Sequence, residues 1–318
     1  MNEASSKYVD QIATQKLIND KLKRVHHAPD PAGYAYDTSF DDFKALASQP
    51  ESVVETRRGH TVEISFPSAV QSGYAENDLV RCRCMQSARP IGDIIFVHGL
   101  YEDNVQIYNF LISMLNEQGM NVYALTLPFH YARQPSTSLF SGEFFWSGDV
   151  HRSALAFKQS VYDLYQLYHY VRSRSQGEVW ITGFSMGGGI ALCLTSLVAI
   201  DGIFAINPVC NIAELVWNSA LFATVKEDLE ASGLTLADIQ ARYSAFEPLN
   251  VAHIETARDK VIVAKGLYDQ INDPKNYDLL VSKWRIQHVM CYKAGHLNIL
   301  RVPKLAIDVT RFYCEERA

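Results

Sequence analysis

No stretch of this 318-residue sequence is apolar for long enough to cross a bilayer. The longest such run, residues 190–200, is 11 residues and contains Thr195 and Ser196, against a requirement of about 18 or more. Basic residues are not in excess either: 29 Lys and Arg stand against 35 Asp and Glu, for a net charge of −6. A nucleic-acid partner calls for a basic excess or stripe, and the nearest candidate, Lys21-Leu22-Lys23-Arg24, reads as a solvated helix face. The six cysteines (Cys82, Cys84, Cys193, Cys210, Cys291, Cys314) lack metal spacing, and Cys82 and Cys84, two apart in a probable strand and not a CxxC pair, are expected to be buried reduced thiols on one face. The first residues, Met-Asn-Glu-Ala-Ser-Ser-Lys-Tyr, lack the apolar run of a secretory signal. The expectation is a cytoplasmic protein with no membrane span and no nucleic-acid partner. There is no internal repeat and no low-complexity tract, and with 48% apolar and 20% charged residues the chain has ordinary globular usage.

What is present divides near residue 60. Residues 1–60 read as a helical extension that packs on the main domain. Ile12, Ile18, Leu22 and Val25 form a loose helical pattern, a loop follows through Pro29, Pro31 and Gly33, and Ser39 opens a short helix with Phe43 and Leu46 on one face. Nothing in this part points to chemistry. From residue 61 the pattern becomes one of strands. Residues 61–66 alternate, with Val62, Ile64 and Phe66 on one side, and residues 79–85 alternate more weakly, as antiparallel strands at a sheet edge do. Residues 94–97, 121–127, 179–182, 203–206, 261–264 and 288–292 read as buried strands. Helices are expected between them over 102–118, 151–175, 186–198, 275–287 and 303–316. In the clearest, Phe157, Val161, Leu164, Tyr168 and Val171 step along one stripe. Strands alternating with helices give an α/β fold, a mostly parallel sheet with helices on both faces. Residues 211–258 break the rhythm and read as a small helical cap inserted over the sheet.

The sharpest local signal is Gly183-Phe184-Ser185-Met186-Gly187-Gly188-Gly189, which directly follows the apolar strand 179–182 and precedes a helical run. A serine between a buried strand and a helix can sit on a very sharp turn with its hydroxyl above the sheet. Side chains in place of Gly183 and Gly187 would collide as the turn tightens, and the helix from Met186 aims its positive end at charge developing near Ser185. A serine hydroxyl needs a base. His296, in Ala294-Gly295-His296 after the last strand, is best placed. His98 precedes Gly99 and suits a loop brace, and His130 and His151 read as loop or cap residues. The base needs a carboxylate to fix its tautomer. Asp269, in Gly266-Leu267-Tyr268-Asp269, leaves one crossover helix before His296. Asp273 reads as the cap of that helix, and Glu214 is the weaker alternative acid.

The order Ser185, Asp269, His296 is the one found in α/β-hydrolases. Over residues 61–318 the sequence resembles that superfamily, in its serine esterase and lipase-like branch. The likeness rests on the His98-Gly99 turn, the Ser185 elbow, the Asp269 turn and the Gly295-His296 pair. The resemblance implies an α/β-hydrolase fold, an oxyanion hole built from the backbone N–H groups of Leu100 and Met186, and a serine rather than an aspartate nucleophile. The sequence departs from one branch, having His98-Gly99-Leu100-Tyr101 in place of HGGG, and 127–133 reads Leu-Pro-Phe-His-Tyr-Ala-Arg where many relatives have a Gly-rich turn.

Two aromatic segments are candidates for the pocket wall. One is the connection 128–149 with Phe140, Phe144, Phe145 and Trp146; the other is the cap with Leu215, Trp217, Leu221, Phe222 and Tyr243. Tyr101, Phe184, Phe145, Trp146 and Trp217 are the expected substrate contacts. No cofactor and no metal are expected. The expected activity is hydrolysis of a carboxylic ester or related acyl bond of a small-molecule substrate, with acyl transfer, thioester or amide cleavage on the same triad as alternatives, and a non-catalytic hydrolase-fold binding protein as the rival class.

Overall fold

The computed structural model describes residues 2–28, 39–251 and 253–315; the loop expected around Pro29, Pro31 and Gly33 lies outside them. The chain runs α1 (Glu3–Asp20), β1 (Val54–Arg58), β2 (Thr61–Pro67), β3 (Leu79–Met85), β4 (Gly92–Val97), α2 (Asn109–Glu117), β5 (Met120–Thr126), α3 (Val150–Arg172), β6 (Val179–Phe184), α4 (Met186–Leu197) and β7 (Gly202–Ile206). It continues through α5 (Ile212–Asn218), α6 (Ala223–Ala231), α7 (Leu236–Tyr243), β8 (Val261–Gly266), α8 (Pro274–Trp284), β9 (His288–Tyr292) and α9 (Pro303–Glu315).

The strands form one sheet in the order β1-β2-β3-β5-β4-β6-β7-β8-β9. The pairs β1–β2, β2–β3 and β3–β5 are antiparallel, and the pairs from β5–β4 through β8–β9 are parallel. Every residue of β4, β6 and β7 is buried, as their largely apolar sequences, Asp93 and Thr182 aside, require of strands covered on both faces. On β2, Val62, Ile64 and Phe66 point inward and their neighbours outward. Cys82 and Cys84 share the same buried face of β3 as free thiols.

Residues 1–60, expected as a helical extension, also contain a strand. All five residues of β1, Val-Glu-Thr-Arg-Arg, are exposed, so no inward face marks it in the sequence; its charges suit a sheet edge. One layer over the sheet is built from α3, α4 and α8, with the expected stripe of Phe157, Val161, Leu164, Tyr168 and Val171 buried in it. The opposite layer is α2 and α9, through Leu111, Leu115, Leu305, Val309 and Tyr313. The cap is helical as expected, in α5, α6 and α7. Among the described residues, no helix is long and apolar enough to cross a membrane.

The long connection after β5 is pinned by an ion pair with both side chains fully buried. Arg133 Nη1 lies 2.9 Å from Asp163 Oδ2 of α3, while Nε and Nη2 donate to Asn77 O at 2.9 and 2.6 Å. Ser68 Oγ donates to the other Asp163 oxygen at 2.6 Å. Removing one member strands a buried charge, which typically costs about 3–5 kcal/mol. Arg133→Ala is expected to lower unfolding free energy by that order in denaturant titration; a loss below about 1 kcal/mol would contradict this role.

Candidate active site

The parallel strands end at one rim of the sheet, where open α/β sheets place their sites. Ser185 follows β6 directly and caps α4 at φ 54°, ψ −118°, a conformation that costs a non-glycine residue roughly 1–3 kcal/mol. It is held from both sides: its N–H donates to Ile206 O at 2.9 Å, and its carbonyl accepts from Gly189 N and Val209 N at 3.1 and 3.0 Å. The two glycines expected to be obligatory are tightly enclosed. A Cβ on Gly183 would lie 2.5 Å from Gly187 O, and one on Gly187 would strike the carbonyls of Val97 and His98.

The three residues expected to converge do so. His296 Nε2 lies 2.9 Å from Ser185 Oγ and Nδ1 lies 2.8 Å from Asp269 Oδ2. Asp269 is buried and its carboxylate is fully engaged. Oδ1 accepts from the N–H groups of Ile271 and Asn272 at 2.8 and 3.0 Å, and Oδ2 also accepts from Tyr277 OH at 2.7 Å. Burial opposes protonation of His296, yet the facing Asp269 charge and hydrogen bond, with Asp10 and Glu102 behind them, raise its pKa above the ordinary imidazole value. Asp273 caps α8, accepting from Lys275 N at 3.0 Å, and Glu214 is bonded to Asn211; neither meets His296.

The loop after β4 is braced as its sequence implied. His98 Nδ1 meets Gly99 O at 2.7 Å and its Nε2 accepts from Leu127 N at 3.0 Å; burial pushes its pKa down to about 4, so it stays neutral. Gly99 N donates to Tyr108 OH at 2.7 Å and Tyr101 N to His130 Nε2 at 3.2 Å. Between these two committed donors sits Leu100, and across from it Met186 opens α4, where a first-turn N–H has no partner within its own helix. Both residues line the cavity at Ser185.

That cavity is ≈170 Å³ and chiefly apolar. Tyr101, Phe184, Leu215, Leu221 and Phe222 stand around Ser185 and His296, so of the five residues expected at the pocket wall, Tyr101 and Phe184 line the cavity. Phe145 and Trp146 do not: both are buried in the core, Trp146 packing on Tyr243 at 5.0 Å and its carbonyl taking the Tyr101 hydroxyl at 2.6 Å. They anchor the connection and support the wall from behind. Trp217 is outside the wall too, its ring facing Lys226 Nζ at 5.2 Å. A cleft of ≈410 Å³ with a mixed polar and apolar lining adjoins the cavity, sharing Thr14, Val209, Leu215, Ile271 and Asn272 and adding Asn211, Glu214 and Asn218. A larger groove of ≈990 Å³ lies at the other end of the strands, against Gly92, Asp93 and Glu178, and contains no member of the Ser185 constellation.

Three residues of the site went unmarked in the sequence. Asn207, buried at φ 42° just past β7, accepts from Gly266 N at 2.7 Å and donates to His296 O at 3.1 Å, and its carbonyl accepts from Asn272 at 3.0 Å. It thereby joins the ends of β7, β8 and β9. Glu102 lines the cavity, with hydrogen bonds from Tyr108 OH and from Tyr131 OH at 3.0 Å; burial pushes its carboxyl up to about 7 against those bonds. Asp10, on α1, receives the backbone N–H of His296 at 2.6 Å. Among the described residues, no cluster of His, Cys, Asp and Glu is grouped to hold a metal ion.

The family described as serine aminopeptidase, S33, matches residues 88–246, half of the chain. The match spans the braced loop, the elbow and the cap, and ends before Asp269 and His296. No curated protein matches the sequence. Among solved structures, the chain is similar to an acetyl xylan esterase from Paenibacillus sp. R4, with a TM-score of 0.64 and 16% identity over 94% of this chain and 98% of that one. It is similar to acetyl xylan esterase 1 from Thermoanaerobacterium sp. JW/SL YS485 (TM-score 0.61, 17% identity, 89% and 92% covered). It is also similar to an S-formylglutathione hydrolase from Agrobacterium tumefaciens (0.53, 14%, 83% and 98%). At these identities the likeness is one of fold.

Replacing Asn207 by alanine removes the acceptor of a buried N–H and the tether of the His296 loop. Leaving a buried donor unpaired costs about 1–3 kcal/mol. Asn207→Ala is expected to lose at least that much stability in thermal or denaturant unfolding; wild-type stability would show that the strand ends hold together without it.

Proposed function

We propose that this chain, which belongs to the serine aminopeptidase S33 family and has the α/β-hydrolase fold, cleaves carboxylic esters of short apolar acids through an acyl-enzyme on Ser185. The observation that carries this reading is the unbroken hydrogen-bonded chain from Ser185 Oγ through His296 to Asp269, opening on an apolar cavity. Ser185 Oγ attacks the ester carbonyl as His296 Nε2 takes its proton, and Asp269 stabilises the imidazolium. The carbonyl oxygen, now negative, faces the N–H groups of Leu100 and Met186 and the positive end of α4, each donor being worth about 3 kcal/mol in the transition state. The tetrahedral adduct collapses, the alcohol leaves with the proton from His296, and water repeats the sequence to free the acid.

The cavity supports a small acyl group. Its ≈170 Å³ compares with the roughly 150 Å³ apolar hole that accommodates benzene, so an acyl group of about six carbons fills it. The mixed cleft alongside offers the alcohol half the polar side chains of Asn211, Glu214 and Asn218. A second reading, amide or peptide cleavage, is favoured by the family's description and needs the same residues. The similar acetyl xylan esterases, whose names specify an acetyl ester, accord with the ester reading. Cytoplasmic placement accords with six unpaired cysteine thiols.

On p-nitrophenyl esters of graded chain length, kcat/KM is expected to peak at or below about six carbons and to exceed that on matched anilides; a steady rise to laurate would contradict the cavity argument. Ser185→Ala is expected to abolish turnover with the fold retained by circular dichroism, and residual hydrolysis at the wild-type rate would remove the mechanism. The pH dependence follows from His296, which must be neutral to accept the proton and whose pKa lies above the ordinary imidazole value. Activity is therefore present at high pH and lost as pH falls through a midpoint above 6.5; a kcat/KM profile with its acid midpoint below that value would contradict the assignment.

A further inference from the structure

The helix α1 is built inside out. Its two buried side chains are polar, Ser6 and Asp10, while Tyr8, Val9 and Ile12 are 63%, 38% and 51% exposed. An amphipathic helix docked for stability would show the reverse. The buried carboxylate has specific partners. Asp10 Oδ2 accepts from His296 N at 2.6 Å and Gln270 N at 3.3 Å, and Oδ1 accepts from Leu297 N at 3.1 Å. One side chain thus ties the loop carrying His296 to the loop carrying Asp269. Gly295 admits it: a Cβ there would stand 2.5 Å from Asp10 Oδ2. One turn back, Ser6 Oγ accepts from Asn298 Nδ2 at 3.0 Å, and Asn298 Oδ1 accepts from Gly295 N at 2.6 Å. One turn and two turns onward, at the three-, four- and seven-residue spacings that share a helix face, Ala13, Thr14 and Leu17 line the cavity at Ser185.

We infer that α1 is a working part of the catalytic site, in which Asp10 is a positioning residue for His296 and Asp269 while Ala13, Thr14 and Leu17 set the length of acyl group accepted. This rests on the esterase reading above and deepens it. The face that fixes the base also closes the acyl cavity, so a single docking event completes both. Three carboxyl groups face His296: Asp269 from the turn after β8, Glu102 from the loop after β4, and Asp10 from α1. Lys21 stands beside the loop after β4, its Nζ 3.2 Å from Tyr101 O and paired with Asp103. Removing the Asp10 charge withdraws one of the three groups that favour the imidazolium.

The test uses the full chain and three substitutions. Asp10→Asn is expected to lower kcat on the order of 10–100-fold, as displacement of a catalytic group does, with KM changed far less and the acid midpoint of the kcat/KM profile moved to lower pH. A merely structural role would not move that midpoint. Leu17→Ala is expected to shift the preferred p-nitrophenyl ester longer by about two carbons, because the deleted side chain leaves its volume to the cavity. Ala13→Leu is expected to shift it shorter. A folded Asp10→Asn variant with wild-type kcat and midpoint overturns the inference, as does a wild-type chain-length profile in both cavity variants. Should Asp10→Asn fail to fold, the chain-length profiles alone decide it. Fluorophosphonate labelling separates the two levels: an unlabelled wild-type Ser185 removes the esterase reading and the inference with it, whereas a labelled Ser185 with unresponsive α1 variants removes the inference alone.

Discussion

The contact between Asp269 and His296 Nδ1 is the one that the rest of the candidate site is arranged to preserve. Both groups are buried, where an unpaired charge is expensive, and both sit on loops, which are ordinarily the most mobile parts of a fold. The structure answers with backbone donors. Two N–H groups and a tyrosine hydroxyl fill the remaining valences of Asp269, Asn207 links the three strand ends, and Asp10 takes the N–H groups of His296 and Leu297. With those in place the imidazole has one free edge, and it faces Ser185 Oγ.

Ser185 is constrained by different means. Its turn is set by packing, since the backbone at Gly183 and Gly187 approaches neighbouring carbonyls too closely for any side chain. The strained φ of Ser185 is held by hydrogen bonds to β7 and to the segment after it. The fold therefore presents the hydroxyl in one orientation before substrate arrives, the preorganisation on which electrostatic catalysis depends. Around it the loop at Leu100 is fixed by neutral, buried histidines that use both ring nitrogens, contacts that do not change charge near neutral pH.

The arrangement of the candidate site was legible where residue type and local order are enough. A glycine-flanked serine between an apolar strand and a helix, an acid one crossover before a histidine, and a histidine before a glycine at a strand end each carry their geometry in a few adjacent residues. Asp10 was not legible, because its partner lies 286 residues away and an acidic residue on a loosely patterned helix reads as solvated. Asn207 looked like any polar residue after a strand. Phe145 and Trp146 stand in an irregular loop, where no periodicity tells an inward ring from one facing a pocket, and they proved to be core. The strand β1 has no buried face at all, so only its partner β2 defines it.

Acylation of Ser185 is the step on which the proposed esterase reading depends, and trapping it is the most direct test. The protein would be mixed with a slowly released ester such as a p-nitrophenyl carbamate, quenched in acid and digested, and the peptide containing Gly183-Phe184-Ser185-Met186 examined by mass spectrometry. One acyl mass per chain, on Ser185, formed with a stoichiometric burst of nitrophenol, is expected. Turnover proceeding with that peptide unmodified, or with the acyl group on another residue, would contradict it.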